Sequence, residues 1–212
     1  SLDFFDLKAL KETVTIGLNA SWMVHDATYH VATDDWQDAT VIGRNKQPYH
    51  ATLVPYATVE QALAADREAS PFRRSLNGDW RFYWVEKPTD RPMDFVEADF
   101  DDSSWATIPV PSNWQLHGFG RPIYINQPYP FAPENPDPPN IPSDYNPVGS
   151  YRTTFTVPDA WAGRQVFVHF AGVKSAFYLW VNGEKVGYNQ GSMTPAEFNI
   201  TLYLREGPNV LA

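Results

Sequence analysis

"KSAFYLWVNGEKVGY", residues 174–188, runs apolar into an Asn182-Gly183 pair and leaves it through a second short β segment. Asn-Gly between two β runs reads as a hairpin, because both residues tolerate the positive φ of a type I′ turn. The run before the pair is apolar on both faces, as in a strand covered on both sides. Outward from the hairpin the β signal repeats. "SYRTTFTV" (150–157) alternates Tyr151, Thr153, Phe155 and Val157 with Arg152, Thr154 and Thr156. "RQVFVHF" (164–170) sets Val166, Val168 and Phe170 against Phe167 and His169, and "NGDWRFYWV" (77–85) places Trp80, Phe82 and Trp84 at period two between Asp79, Arg81 and Tyr83. "EFNITLYL" (197–204) and "PNVLA" (208–212) add two more segments. Short strands with turn residues at regular spacing predict an all-β sandwich. Its last strand, cut at Ala212, is expected to leave a neighbour unpaired and an edge exposed, with the natural chain continuing.

Upstream of this region the rhythm is weak. "FFDLKALKE" (4–12) reads as a short helix, and "TVEQALAADREA" (58–69) as a better one, with Thr58 as N-cap and Val59, Ala62 and Leu63 on one face. Residues 1–70 are therefore expected to form an arm laid over another body, and residues 71–212 the sandwich. One stretch inside the sandwich breaks the pattern. "YINQPYPFAPENPDPPNIP", Tyr124 to Pro142, holds seven prolines in nineteen residues. Proline fixes φ and removes a donor, so this strap can be stiff and extended without pairing into a sheet.

Composition narrows the function. Sixteen basic against 25 acidic residues give a formal charge of −9, which argues against nucleic acid and anionic membranes as partners. Without cysteine, neither a disulfide framework nor a thiolate metal site can form. Aromatics are 15% of the chain, with eight Trp, so some rings are expected to face a ligand or another domain. No run approaches 18 apolar residues, and "SLDFFDLKALKE" lacks the basic start of a signal peptide; a cytoplasmic location is the expectation.

"RSLNGDWRF" (74–82), "FDDSSWATIPVPSNWQLHGFGRPIYINQPYPF" (100–131), "NPVGSYRTTFTVPDAW" (146–161) and "FAGVKSAFYLWVNGEKVGYNQGSMTPAEFNI" (170–200) resemble, in order, the amino-terminal jelly-roll domain of glycoside hydrolase family 2 β-galactosidases. "DWQDATVIGRNKQPYHATLVPYATVEQAL" (35–63) is similar to the arm before that domain. The resemblance implies a jelly-roll sandwich in a retaining β-galactosidase acting on β-galactosides such as lactose, with a TIM barrel as partner and a homo-oligomeric parent. Both catalytic Glu residues of the family lie on the barrel, so no catalytic residue is expected here and the chain alone is expected to be inactive. The strap would project to the barrel's mouth, where Asn126 hydrogen-bonds a galactosyl hydroxyl; a carboxamide suits a neutral polyol. The Tyr124 ring could support the sugar's apolar face, and Gln127 stands at the acceptor-sugar subsite, where the family often has a small residue. On the residues alone, the strap reads as a surface loop with Asn126 satisfied by backbone, and only the resemblance gives it a binding role.

Asp35 and Asp38 in "DDWQDATV" are hard oxygen ligands three apart, and by themselves read as solvated acids around a Trp. The resemblance makes Asp35, Asp38, the Val41 carbonyl and Gln190 the candidate ligands of a structural Mg²⁺, with a further Asp beyond Ala212. The acidic run "EADFDD" (97–102) reads as a solvated turn. The five histidines show no ligand spacing, and His169 is expected at a surface or interface. The alternative from another class is a free-standing carbohydrate-binding module of jelly-roll type.

Overall fold

The computed structural model describes residues 2–6, 35–122, 141–142 and 144–212. Among them are eleven strands: β1 (Leu2–Asp6), β2 (Gly43–Arg44), β3 (Arg73–Ser75), β4 (Gly78–Val85), β5 (Ala106–Val110) and β6 (Val148–Thr156), then β7 (Val166–Phe170), β8 (Ala176–Val181), β9 (Glu184–Gln190), β10 (Ala196–Asn199) and β11 (Pro208–Leu211). All pairings are antiparallel. Seven strands form one sheet in the order β2-β9-β8-β11-β6-β4-β5, and four form the other in the order β10-β7-β1-β3. Two stacked antiparallel sheets make the all-β sandwich that the alternation predicts.

The deciding hairpin has the expected form. Asn182 (φ 53°) and Gly183 (φ 88°) are its two loop residues, and Val181 pairs with Glu184 across them. The inward residues of both sheets meet in one core, with Leu179, Val181, Val186 and Phe155 from the larger sheet against Val166, Val168, Ala196 and Phe198 from the smaller. Phe198 and Val168 are fully buried, and each such side chain contributes about 2 kcal/mol of burial. A second, smaller cluster forms on the outer face, where Phe95, Val96 and Trp105 cover Trp180 of β8, which explains why β8 is apolar on both sides.

Three expectations are corrected. "FFDLKALKE" does not open as a helix: Leu2–Asp6 is a strand between β7 and β3, because the two sheet edges there offer backbone partners that outweigh a marginal helix. "PNVLA" is not an edge strand; β11 pairs with β6 on one side and with β8 on the other, at the middle of the seven-stranded sheet. Arg152, placed outside by its alternation, is only 5% exposed because the turn around residues 94–102 folds over it.

α1 (Val59–Ala64) has Thr58 as its N-cap, accepting from the Gln61 amide, and ends at Ala65 in the left-handed region. Its apolar face meets nothing among the described residues, with Val59 68% and Leu63 80% exposed. The described tryptophans are buried or half-buried, and Trp80 and Trp161 donate their indole N–H groups to the carbonyls of Leu76 and Pro71.

Candidate functional site

Tyr124, Asn126 and Gln127 lie outside the described residues. The structure does describe the base on which their strap is mounted. Arg121, just before it, lies with its guanidinium 5.1 Å from the Tyr145 ring centroid, just after it. The Asn146 amide donates to the Glu86 carbonyl at 2.9 Å, tying the returning chain to the end of β4. Beneath this base, Phe82, Trp114, Phe119 and Tyr151 form an aromatic floor, with Phe82 4.8 Å from Phe119 and 4.7 Å from Tyr151 by ring centroids. Burial pushes the Tyr151 hydroxyl up to about 12, so it stays a neutral donor. Gly149 on β6 is required by this floor: a Cβ there would sit 2.6 Å from both Phe82 and Trp114. The two flanks of the strap thus share one rigid, aromatic footing at one end of β4 and β6.

A polar cleft of about 340 Å³ lies elsewhere, between Asp79, Arg81, Asp102, Thr107 and Thr154. Arg81 and Arg152, which line it, are the sequence neighbours of Phe82 and Tyr151 in the aromatic floor and pair with each other across β4 and β6, and successive side chains of a strand point to opposite faces. The wall of the cleft is structural. Arg152 donates to Asp102 at 2.8 Å, to the carbonyls of Glu97 at 2.9 Å and Phe100 at 3.5 Å, and to that of Phe95. Arg81 adds a 3.5 Å ion pair with Asp102. The acidic run is therefore split: Asp101 is exposed and accepts from the Ser103 amide, while Asp102 is paired.

The proposed metal ligands are divided in the same way. The Gln190 amide donates to the carbonyls of Asp38, at 3.1 Å, and Val41, so these three residues meet at one point where β9 faces the arm. The Asp38 carboxylate accepts from the Thr40 hydroxyl and amide, which hold its pKa below the ordinary range. Asp35 is 2% exposed and faces cations instead: Arg44 at 3.4 Å and Lys185 at 3.7 Å. Its Oδ2 is buried without a hydrogen bond, and the nearby Tyr188 hydroxyl, raised first by burial and then by the Asp35 charge, sits at about 12. The oxygen donors of Asp38, Val41 and Gln190 fit a hard cation once the Gln190 amide turns its oxygen inward; Asp35 is already neutralised by two cationic side chains. No group of three or more His, Cys, Asp or Glu able to hold a metal occurs among the described residues.

Sequence spacing missed Glu197, which lies between two histidines. Its Oε1 is 3.1 Å from His50 Nε2 and its Oε2 is 3.2 Å from His169 Nδ1, and His169 is buried at 6% exposure rather than placed at a surface. The partners are 147 and 28 residues apart, so only the fold could assemble them.

The family described as glycosyl hydrolases family 2, sugar binding domain, matches residues 73–212. Among curated proteins, the chain is 48% identical over 169 residues to a beta-galactosidase of Priestia megaterium, covering 79% of this chain and 16% of that protein. It is 47% identical over 177 residues to a beta-galactosidase of Psychromonas ingrahamii, covering 84% of this chain and 16% of that protein. This chain thus spans 16% of the length of these relatives. Among solved structures, a beta-glucuronidase of Bacteroides uniformis is matched with a TM-score of 0.47 and 23% identity, covering 65% of this chain and 14% of that one.

Proposed function

Because this chain belongs to the sugar binding domain family of the family 2 glycosyl hydrolases, we propose that it is the non-catalytic sugar-side domain of a larger, retaining β-galactosidase. The observation that carries this reading is the extent of the likeness to β-galactosidases: the aligned 169 and 177 residues exceed the 73–212 domain and so take in part of the arm. An arm shared with much longer enzymes supports a built-in domain over a free-standing module.

In this reading the chain positions substrate and leaves bond cleavage to others. A retaining glycosidase needs two carboxyl groups about 5–5.5 Å apart, and these are proposed to come from a TIM barrel outside the 212 residues. The strap, stiffened by prolines and footed on Arg121 and Tyr145, presents Asn126 to a galactosyl hydroxyl, with Tyr124 against the sugar's apolar face and Gln127 toward the acceptor sugar. Its prolines limit the backbone freedom that such a segment would lose on binding. A structural Mg²⁺, if bound, would be held by Asp38, the Val41 carbonyl and Gln190; it would supply a charged tie between arm and sandwich. Asp35 serves that tie indirectly, through Arg44 and Lys185.

Two measurements test the reading. Replacing Asn126 by Ala in the full-length enzyme should lower kcat/KM for galactosides about 3- to 10-fold, the worth of one neutral hydrogen bond; an unchanged rate removes its role. Calorimetric titration of the isolated chain with galactose and lactose should give no measurable heat, whereas micromolar affinity would establish the binding module instead.

A further inference from the structure

We propose that His50 is a proton-dependent latch, which fastens the arm to strand β10 while its imidazole carries both ring protons and lets go when one is lost. The argument begins with the ring's two neighbours. Nδ1 is 2.8 Å from the Ala51 carbonyl and Nε2 is 3.1 Å from Glu197 Oε1. Both are acceptors, and a neutral imidazole has one N–H, so only the doubly protonated ring satisfies both. A neutral ring would turn a lone pair toward either a carbonyl or a carboxylate.

The charges around this ring are defined. Glu197 on β10 is 7% exposed and shares its other oxygen with His169 of β7. Asp3 of β1 lies opposite His169 in the strand register, as Glu197 does on the other side. Lys46, the nearest cation on the arm itself, is occupied by the Tyr49 hydroxyl at 2.9 Å and Asn189 at 2.7 Å. The Ala51 hydrogen bond, followed after a counteracting burial effect by Glu197, raises the His50 pKa, consistent with the geometry.

What the latch holds is equally defined. Before it, the arm is fixed by contacts that do not titrate near neutrality, the β2–β9 pairing and the Asn45 bond to the Val186 carbonyl at 2.7 Å; the Gln47 amide, which donates to the Glu197 carbonyl at 2.9 Å, lies at the edge of the latched segment and reports its fraying. After it, the next tie is Ser70 to the Pro55 carbonyl at 2.6 Å. Between Gln47 and Pro55 the arm is tied to the sandwich by His50 at Glu197 and by the neighbouring Tyr49 hydroxyl, which hydrogen-bonds Lys46 and Thr194, so deprotonation of His50 removes the titrating one of two adjacent ties and loosens the segment. His50 is raised above its ordinary value, so the contact is complete below about pH 6.5 and is lost as pH rises through the shifted pKa.

The test is amide hydrogen exchange of the 212-residue chain from pH 5.5 to 8.5, corrected for intrinsic rates, with imidazole ¹⁵N shifts followed in parallel. Protection of Gln47 should fall severalfold as His50 loses its proton, while the Gln190 amide, bound to the Ile42 carbonyl, stays unchanged as a reference. His50→Gln should abolish the pH dependence, and His169→Gln should retain it. Gln47 protection that is flat with pH, a pH dependence that survives His50→Gln, or a His50 that titrates at or below the ordinary value would overturn the proposal. Since His50 is 40% exposed, its substitution leaves the core intact and the comparison readable.

Discussion

Arg152 shows how a single side chain can organise a surface. Its guanidinium gathers three turn carbonyls and one carboxylate, and the Phe100 ring lies 5.5 Å away. Arg152→Ala strips those partners of their donor and should destabilise the chain by about 3 kcal/mol in urea unfolding, the cost of breaking a buried ion pair. Nothing in "SYRTTFTV" distinguishes Arg152 from the outward Thr154; its burial comes from a turn 50 residues away. Gly149 is similarly silent in sequence. Gly149→Ala should cost about 2 kcal/mol by overpacking, with near-ultraviolet circular dichroism reporting the disturbed Phe82 and Trp114 floor. At this scale the role given to Asn126 comes from a resemblance alone and lies outside the described residues, while the sequence was illegible where distant groups converge, as at Glu197.

At the scale of elements, local chemistry spoke more plainly. The Asn182-Gly183 turn and the period-two strands are set by residues next to one another, so β4, β6, β7, β8 and β9 could all be read in advance. β1 could not, since "FFD" is ambiguous until two partner strands claim it. The hairpin also has a role that its dipeptide does not advertise. Asn182 donates to the Tyr203 carbonyl and to Asn209 Oδ1, both at 2.8 Å, and accepts from the Val210 amide at 2.9 Å, pinning β11 to the turn. Asn182→Ala loses these bonds and places Ala at φ 53°, so a destabilisation of about 2–3 kcal/mol is expected by urea titration. In contrast, Val59→Ser with Leu63→Ser should leave the isolated chain's midpoint within about 0.5 kcal/mol, because that face of α1 is bare.

For the whole molecule, two titrations with opposite signs set a window. Burial raises the Glu197 carboxyl, but hydrogen bonds from His169 and His50 outweigh it and leave its pKa lowered. That contribution is present above about pH 4.5 and is lost as pH falls through the depressed value. His50 contributes below about pH 6.5 and loses its share on the alkaline side. The arm's attachment to the sandwich should therefore be firmest between these limits, and thermal unfolding scanned from pH 3.5 to 8.5 should show a maximum there that flattens in Glu197→Gln. Global charge alone would instead place the maximum near the pI of about 4.9, with stability falling as the net charge grows toward −9 at neutral pH, so the two explanations differ between about pH 5 and 6.5.

The position of β11 has a vectorial consequence for biosynthesis. The β4–β6 ribbon and the β8–β9 hairpin both leave the ribosome before the strip that zips them together, residues 208–211. A nascent chain halted at Gly207 would hold two unjoined half-sheets with unpaired inner rims, open to chaperones or to swapping with a neighbour. The joining of these two half-sheets is thus timed by the synthesis of residues 208–211.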